Sequence, residues 1–315
     1  MFKIISTSFQ IVLVAVLLTS PGFSQKPKGA EKIEKVEKSE KKDNPYNAAL
    51  FSNLKFRSIG PAVTSGRVSD FAVNPKNHSE YYVATSSGGV WKTSNRGVTY
   101  QPVFDGEGSY SIGCVSLDPN NSSTVWVGSG ENNNQRSVSY GDGVYKSMDG
   151  GKSWKNMGLK NSEHISQIII DPKDPNVVYV GAYGPVWSEG GERGVYKTTD
   201  GGSTWTCVKS VSPYTGCNDL VMDPRDNRVL YAAFHQRMRK VFTYIGGGSE
   251  SAIYKSTDAG ATWVKLEGGL PGGELGRIGL DISPVNPDML YAVVEANDSK
   301  GGIYRTTNKG ASWEK

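Results

Sequence analysis

Gly194 to Trp205 reads GVYKTTDGGSTW, and four variants of it recur along the chain: GVWKTSNRGVTY from Gly89, GVYKSMDGGKSW from Gly143, AIYKSTDAGATW from Ala252 and GIYRTTNKGASW from Gly302. Their acidic or amide positions, Asn95, Asp149, Asp200, Asp258 and Asn308, are separated by 54, 51, 58 and 50 residues. That period is the size of one small antiparallel sheet, so the chain reads as an array of repeats. A second motif keeps step with the first, a turn followed by an apolar strand: VNPKNHSEYYVA from Val73, LDPNNSSTVWVG from Leu117, IDPKDPNVVYVG from Ile170, MDPRDNRVLYAA from Met222 and ISPVNPDMLYAV from Ile282.

The first motif has the chemistry of a hairpin. Lys-Thr or Lys-Ser closes one strand, the Asp or Asn side chain accepts backbone N–H groups across the turn, and Gly supplies the positive φ. Ser/Thr-Trp then starts the returning strand, with the indole covering the hairpin's apolar side. Asn takes the acidic position twice, which fits turn capping by either residue type and argues against a catalytic carboxylate there. Asn95, Asp149, Asp200, Asp258 and Asn308 are therefore read as structural markers.

Each repeat has room for four strands. In the third they fall at Ser166 to Ile170, Val177 to Gly181, Val195 to Thr199 and Ser203 to Val208. Four-stranded antiparallel units at this period predict an all-β chain, a β-propeller with five blades visible between about residues 45 and 315, the first strand of each blade innermost. The fifth blade has barely begun its fourth strand at Lys315, and Leu54 to Ile59 is the one candidate closing strand. The expectation is an incomplete ring or part of a longer array, with exposed edges that promote association.

Outside the repeats, Lys3, the apolar run Ile11 to Leu18 and the small residues Ser20 to Ser24 predict a signal peptide over residues 1–24. That run is too short for a membrane span, so the expected location is secreted, periplasmic or on the outer cell surface. Residues 25–44 read as a Lys/Glu-rich solvated tether. Seven lysines against five acids within 26–43 account for much of the formal charge of +4, which leaves the repeats close to neutral and gives no support for nucleic-acid binding. The cysteines, Cys114, Cys207 and Cys217, are too few for a disulfide framework. Cys207 and Cys217 could bridge; buried free thiols are the alternative. His78, His164 and His235 lack metal-ligand spacing, and no cofactor fingerprint is present, so no metal or cofactor is implied.

A meander places the two repeated turns at one end of each blade and sends the loops between its second and third strands to the other. Those loops are irregular, and irregular loops on a rigid scaffold commonly carry binding residues. They bring Glu131, Asn133, Arg136, Trp187, Glu189, His235 and Glu295 to one rim. Carboxylates and amides beside aromatic rings suit a polysaccharide or other glycan, and suit a polypeptide partner nearly as well. Arg67 and Asp70, on the first inner strand, are expected to form an ion pair that stabilises blade packing.

The repeats resemble BNR or Asp-box repeats. Together with the DPxxPxxVYVG strands and the opening SIGPAVTSGRVSDFAVNP, they are similar to secreted bacterial BNR-repeat glycosyl hydrolases, which share propeller repeats with xyloglucan-specific endoglucanases and sortilin-type receptors. For the endoglucanases the resemblance implies inverting hydrolysis by two aspartates on separate propellers. The general base of that family lies in a segment of the form ARTDIGGAYRW; the matching segment here is VATSSGGVWKT from Val83, with Ser86 at the position of the aspartate. A serine hydroxyl cannot replace a carboxylate base. The resemblance thus implies a glycan-directed propeller, binding or degrading polysaccharide, with this chain alone not a competent hydrolase; the sortilin likeness implies a peptide-binding propeller instead.

Overall fold

A computed structural model describes residues 67–133 and 138–315 of the chain. Its elements are strands and one short 3-10 turn, with no α-helix among the described residues. The signal peptide, the tether, the boundary near residue 45, the closing strand Leu54 to Ile59 and Arg136 lie outside the described residues.

The first sheet runs β1 (Val68–Val73), β2 (Tyr81–Thr85), β3 (Gly89–Thr93) and β4 (Gln101–Pro102). The second comprises β5 (Ile112–Leu117), β6 (Val125–Ser129), β7 (Val144–Ser147) and β8 (Lys155–Gly158). The third comprises β9 (Ile165–Ile170), β10 (Val178–Ala182), β11 (Gly194–Thr198) and β12 (Thr206–Lys209). In the fourth, β13 (Thr215–Met222) and β14 (Leu230–Gln236) are followed by a small ribbon, β15 (Met238–Arg239) with β16 (Tyr244–Ile245), before β17 (Ala252–Ser256) and β18 (Val264–Leu266) complete the sheet. The fifth has three strands, β19 (Leu275–Ile282), β20 (Leu290–Ala296) and β21 (Gly302–Thr306), with Glu314 bridged to Arg305 in place of a fourth.

All pairings are antiparallel, and the first strands pack on one another in chain order, β1 on β5, β5 on β9, β9 on β13 and β13 on β19. These are propeller blades with the first strand innermost, and the predicted strands of the third repeat fall within a few residues of β9 to β12. Every innermost strand carries a bulge in its pairing with the second, at Val68/Asp70, Ile112/Cys114, opposite Gly181/Ala182, Cys217/Asp219 and Leu275/Ile278. A bulge bends the strand, and its recurrence at one level in five blades marks it as part of the repeat.

The repeated turn is built as its residue types dictate. Asp200 Oδ1 accepts from Thr198 Oγ1 (2.7 Å) and the Thr204 amide (2.9 Å), and Oδ2 accepts from Thr204 Oγ1 (2.6 Å). Asp149 and Asp258 repeat this pattern. Asn95 and Asn308 keep the same Oδ1 bonds and use Nδ2 to donate to Thr99 and Ser312. Hydrogen bonds to Ser or Thr hydroxyls and backbone amides hold the Asp149, Asp200 and Asp258 carboxyls well below the usual carboxylate range. Because both residue types already serve in this chain, Asp200→Asn should leave the fold intact and lower Tm less than Asp200→Ala; a larger loss for the amide in thermal unfolding would show that the charge itself is required.

The indoles do more than cover their own hairpins. Trp154 Nε1 donates to the Val103 carbonyl (2.6 Å) and Trp205 Nε1 to the Met157 carbonyl (2.8 Å), both on the preceding blade. Their rings stand edge-on to Phe104 (5.1 Å) and Trp126 (6.3 Å). Contacts also run the other way across each joint. Lys92, Lys146, Lys197 and Lys255 lie over the rings of Tyr82, Trp126, Tyr179 and Tyr231 at 4.8–5.4 Å. Each lysine donates to a carbonyl in the next blade's turn, at Gly150, Gly201, Ala259 and Lys309. The Tyr82, Tyr179 and Tyr231 hydroxyls donate to the same carbonyls as their lysines. The turn motif is therefore half of an interblade clamp, which accounts for its recurring lysine; Trp154 and Trp205 add a bond to the preceding blade, whereas Trp263 donates to the Gly260 carbonyl of its own turn (3.0 Å).

The cysteines are free: Cys114 and Cys217 are buried, and Cys207 is exposed on β12. Of the two readings of Cys207 and Cys217, the bridge is the one that fails, because the residues lie on different blades with Cys217 inside the core between them.

Candidate functional site

Both repeated turns lie at one end of the blades, tied together by bonds such as Arg96 N–H to Ser79 O (3.0 Å) and Gly150 N–H to Ser123 O (2.9 Å). The loops between second and third strands share the opposite end with the interblade crossovers, through Gly89 N–H to Tyr110 O, Gly141 N–H to Glu163 O, Tyr183 N–H to His164 O and Arg237 N–H to Tyr214 O. The candidate rim is therefore a real surface, though its residues divide into separate groups.

The first group joins blades one and two. Gly130 has φ 87° and comes so close to Glu163 O that a Cβ there would strike it. This tight turn brings Glu131 inward, where it is 1% exposed. Its Oε1 accepts Arg67 Nε (2.8 Å), Arg67 Nη2 and Asn133 Nδ2 (3.3 Å). The expected Arg67–Asp70 pair does not form. Asp70 instead accepts the Phe71 amide (2.8 Å) and the Val115 amide of the next blade (3.0 Å), and burial pushes its pKa up. Asp219 does the same in blade four, accepting the Leu280 amide of blade five (2.8 Å). Asp70 is a backbone strut between inner strands, while Arg67 neutralises a buried rim carboxylate. Ser86 is fully buried beside them, its amide donating to Arg67 O (2.8 Å) and its hydroxyl without a partner among the described residues.

The second group joins blades three and four. Arg193 is 4% exposed and gathers the loop before β11 by donating to four carbonyls, those of Tyr183 (3.1 Å), Pro185, Ser188 (2.9 Å) and Gly190 (2.8 Å). The loop so fixed presents Trp187, 54% exposed, and Glu189, which accepts from the Tyr214 hydroxyl of the neighbouring crossover. Gly190 N–H to Pro213 O (2.8 Å) fastens the two segments. A large ring on a loop that cannot easily rearrange is a preorganised stacking surface.

His235, expected on the rim, lies inside the sheet. β14 continues two residues further than its counterparts in the first three blades, and His235 is fully buried with Nδ1 bonded to the Tyr183 hydroxyl. The guanidinium of buried Arg237 lies over the other side of this cluster, 3.2 Å from the Tyr183 ring centroid. Burial first, then the charge of Arg237 and other arginines, pushes His235 down to about 4 and His164 to about 3. On blade five, Glu295 is exposed and accepts the Arg277 amide (3.1 Å).

Arg193 and Tyr183 were not visible as site residues in the sequence, since they act only through the packing of two blades. Glu107 and Asp142 were also missed; burial and the nearby Asp142 charge raise the Glu107 pKa. Among the described residues no cluster of His, Cys, Asp and Glu could hold a metal ion.

No family model matches the chain. A xyloglucanase of Hypocrea jecorina (strain QM6a) is 25% identical over 232 residues, covering 64% of this chain and 26% of the relative. A xyloglucanase of a Paenibacillus species is 29% identical over 179 residues, 49% of this chain and 16% of the relative. The chain thus spans about a quarter or less of the length of these curated relatives. Among solved structures, a GH74 enzyme of Niastella koreensis superposes with a TM-score of 0.58 at 23% identity, covering 78% of this chain and 38% of that one. At that identity the superposition speaks for the fold.

Proposed function

We propose that this chain is a glycan-directed β-propeller of the xyloglucanase type, which binds polysaccharide on the rim of blades three and four and does not hydrolyse it alone. The observation that carries this reading is the exposed Trp187 ring on a loop fixed by Arg193, with the Glu189–Tyr214 pair beside it. An indole face stacks on the C–H face of a sugar ring, and the carboxylate and phenol accept and donate hydrogen bonds to its hydroxyls. The xyloglucanase relatives make a β-glucan the first ligand to try.

Hydrolysis with inversion would need two carboxyls about 6.5–9.5 Å apart, one of them free to hold a proton. The rim carboxylates named from the sequence are already engaged: Glu131 with Arg67, Glu189 with Tyr214, Glu295 with the Arg277 amide, and Asp70 with the Val115 amide. Ser86 stands at the position that the resemblance reserves for the base. We also place the protein outside the cytoplasm, on its N-terminal sequence; no helix among the described residues is long and apolar enough to cross a membrane.

Trp187→Ala should weaken binding to xyloglucan oligosaccharides by about 10-fold to 100-fold, the range expected for losing a central aromatic anchor, without lowering Tm. Calorimetric titration with purified chain checks this, alongside a reducing-sugar assay in which no product is expected. Unchanged affinity in the Trp187 variant would remove the proposed platform. Capture of a polypeptide with no glycan bound would favour the sortilin-like alternative, and cleavage abolished by one carboxylate substitution would make the chain an enzyme.

A further inference from the structure

Arg237 is 1% exposed, so whatever meets its charge must lie inside the molecule. It follows the last residue of β14, where its amide donates to Tyr214 O (3.2 Å) in the crossover from blade three, and the Arg239 amide donates to Val186 O (2.8 Å) beside Trp187. The side chain is thus enclosed between blades three and four, next to the rim. The Tyr183 ring covers one face of the guanidinium, its centroid 3.2 Å from the central carbon, which leaves the edges for hydrogen bonding. Nε and Nη2 are both buried and have no hydrogen-bond partner among the described residues.

These two nitrogens share one edge of the guanidinium, where their N–H bonds run side by side. That edge is the fork that grips both oxygens of a carboxylate. No carboxylate pairs with Arg237 among the described residues, and the neighbours coupled to it through charge include Arg277, Arg193, His164 and His235, which are cationic or held neutral. An arginine keeps its proton, so titration cannot remove the charge, and an unpaired charge taken out of water is strongly destabilising. The Tyr183 ring face offsets part of that cost. A water molecule satisfies N–H donors but supplies no negative charge.

We propose that Arg237 is a buried carboxylate-binding residue, its Nε–Nη2 edge taking both oxygens of a carboxylate anion between blades three and four. The anion supplies the counterion that the two blades lack. It has two sources, a free small acid or a uronic acid of a glycan stacked on Trp187. The first is independent of the glycan reading above, and the second rests on it.

Calorimetric titration of the full chain at constant ionic strength, with formate and glucuronate as separate probes, tests this. Formate should bind saturably at a single site. Arg237→Lys keeps the charge but loses the fork, and should weaken that binding by about 10-fold to 100-fold, the effect of removing one hydrogen bond to a charged group. Glucuronate binding that is lost in the same variant would support the site and assign the carboxylate to a glycan; formate binding without glucuronate binding would support it and assign a free acid. Should the lysine variant fail to fold, NMR spectra of wild type locate the site. Formate should then move the His164 and His235 imidazole resonances along one saturation curve and leave the blade-one turn amides of Arg96 and Gly97 in place. Absence of saturable binding by either probe would overturn the proposal. So would binding of equal strength in a folded Arg237→Lys chain, or shifts that bypass both imidazoles.

Discussion

Trp126→Ala should lower folding stability by about 3–5 kcal/mol, the range for truncating a large buried aromatic side chain. The ring is fully buried where blades two and three meet, edge-on to Trp205, with Lys146 Nζ 4.8 Å from its centroid. Its removal opens a void and deprives Lys146 of the surface that directs it to the Gly201 carbonyl, so the clamp loses both parts together. Among the described residues the indole Nε1 has no hydrogen-bond partner, whereas Tyr82, Tyr179 and Tyr231 at the equivalent positions all donate to the next turn. Trp126→Tyr should therefore recover much of what alanine loses, by regaining that bond with a smaller ring. Urea unfolding of the two variants checks both statements; a loss of less than about 1 kcal/mol in the alanine variant would mean that the blades are held chiefly by their inner strands.

The repeated hairpin was legible because its requirements are local. A Ser/Thr, an Asp/Asn two residues on and a following glycine or other positive-φ residue complete nearly all of their bonds within a few positions, as in Thr198, Asp200 and Gly202. Strand spacing and the innermost strand followed from the same periodicity. The site was much less legible, because its contacts join residues far apart in sequence. Arg67 and Glu131 are separated by 64 positions, and the closer Asp70 looked the better partner until the bulge turned it toward the Val115 amide. His235 was misplaced for a different reason: LYAAFHQ keeps its strand pairing to Gln236, past the point where the earlier blades turn into loops. Arg193, next to the repeat's opening glycine, organises the Trp187 loop by side-chain bonds to carbonyls, which leave no pattern in the sequence.

Acid should destabilise the chain through His164 and His235 well before its carboxylates dominate. Both imidazoles are buried and held neutral, with Arg237 facing both, Arg193 near His164 and Arg277 near His235; no carboxylate is among the groups that shift either one. Their folded pKa values, about 3 and about 4, lie below the ordinary value near 6.5. Between that ordinary value and the folded ones, the unfolded chain binds protons that the folded chain refuses. Stability is thus complete above about pH 6.5 and falls as pH is lowered. Since pH 5 lies above both folded values, the loss at that point is set by the unfolded pKa and comes to about 2 kcal/mol for each histidine, about 4 kcal/mol together. The depressed turn carboxylates Asp149, Asp200 and Asp258 act in the same direction, but only at lower pH, whereas burial of Asp70 and Asp219 raises their pKa values and opposes the trend in acid. Urea midpoints at pH 7 and pH 5 should therefore differ strongly in wild type, and the difference should shrink by about half in His164→Gln or His235→Gln. A flat profile between pH 7 and pH 5 in wild type would show that the cluster around Tyr183 and Arg237 can take up a proton without opening the joint between blades three and four.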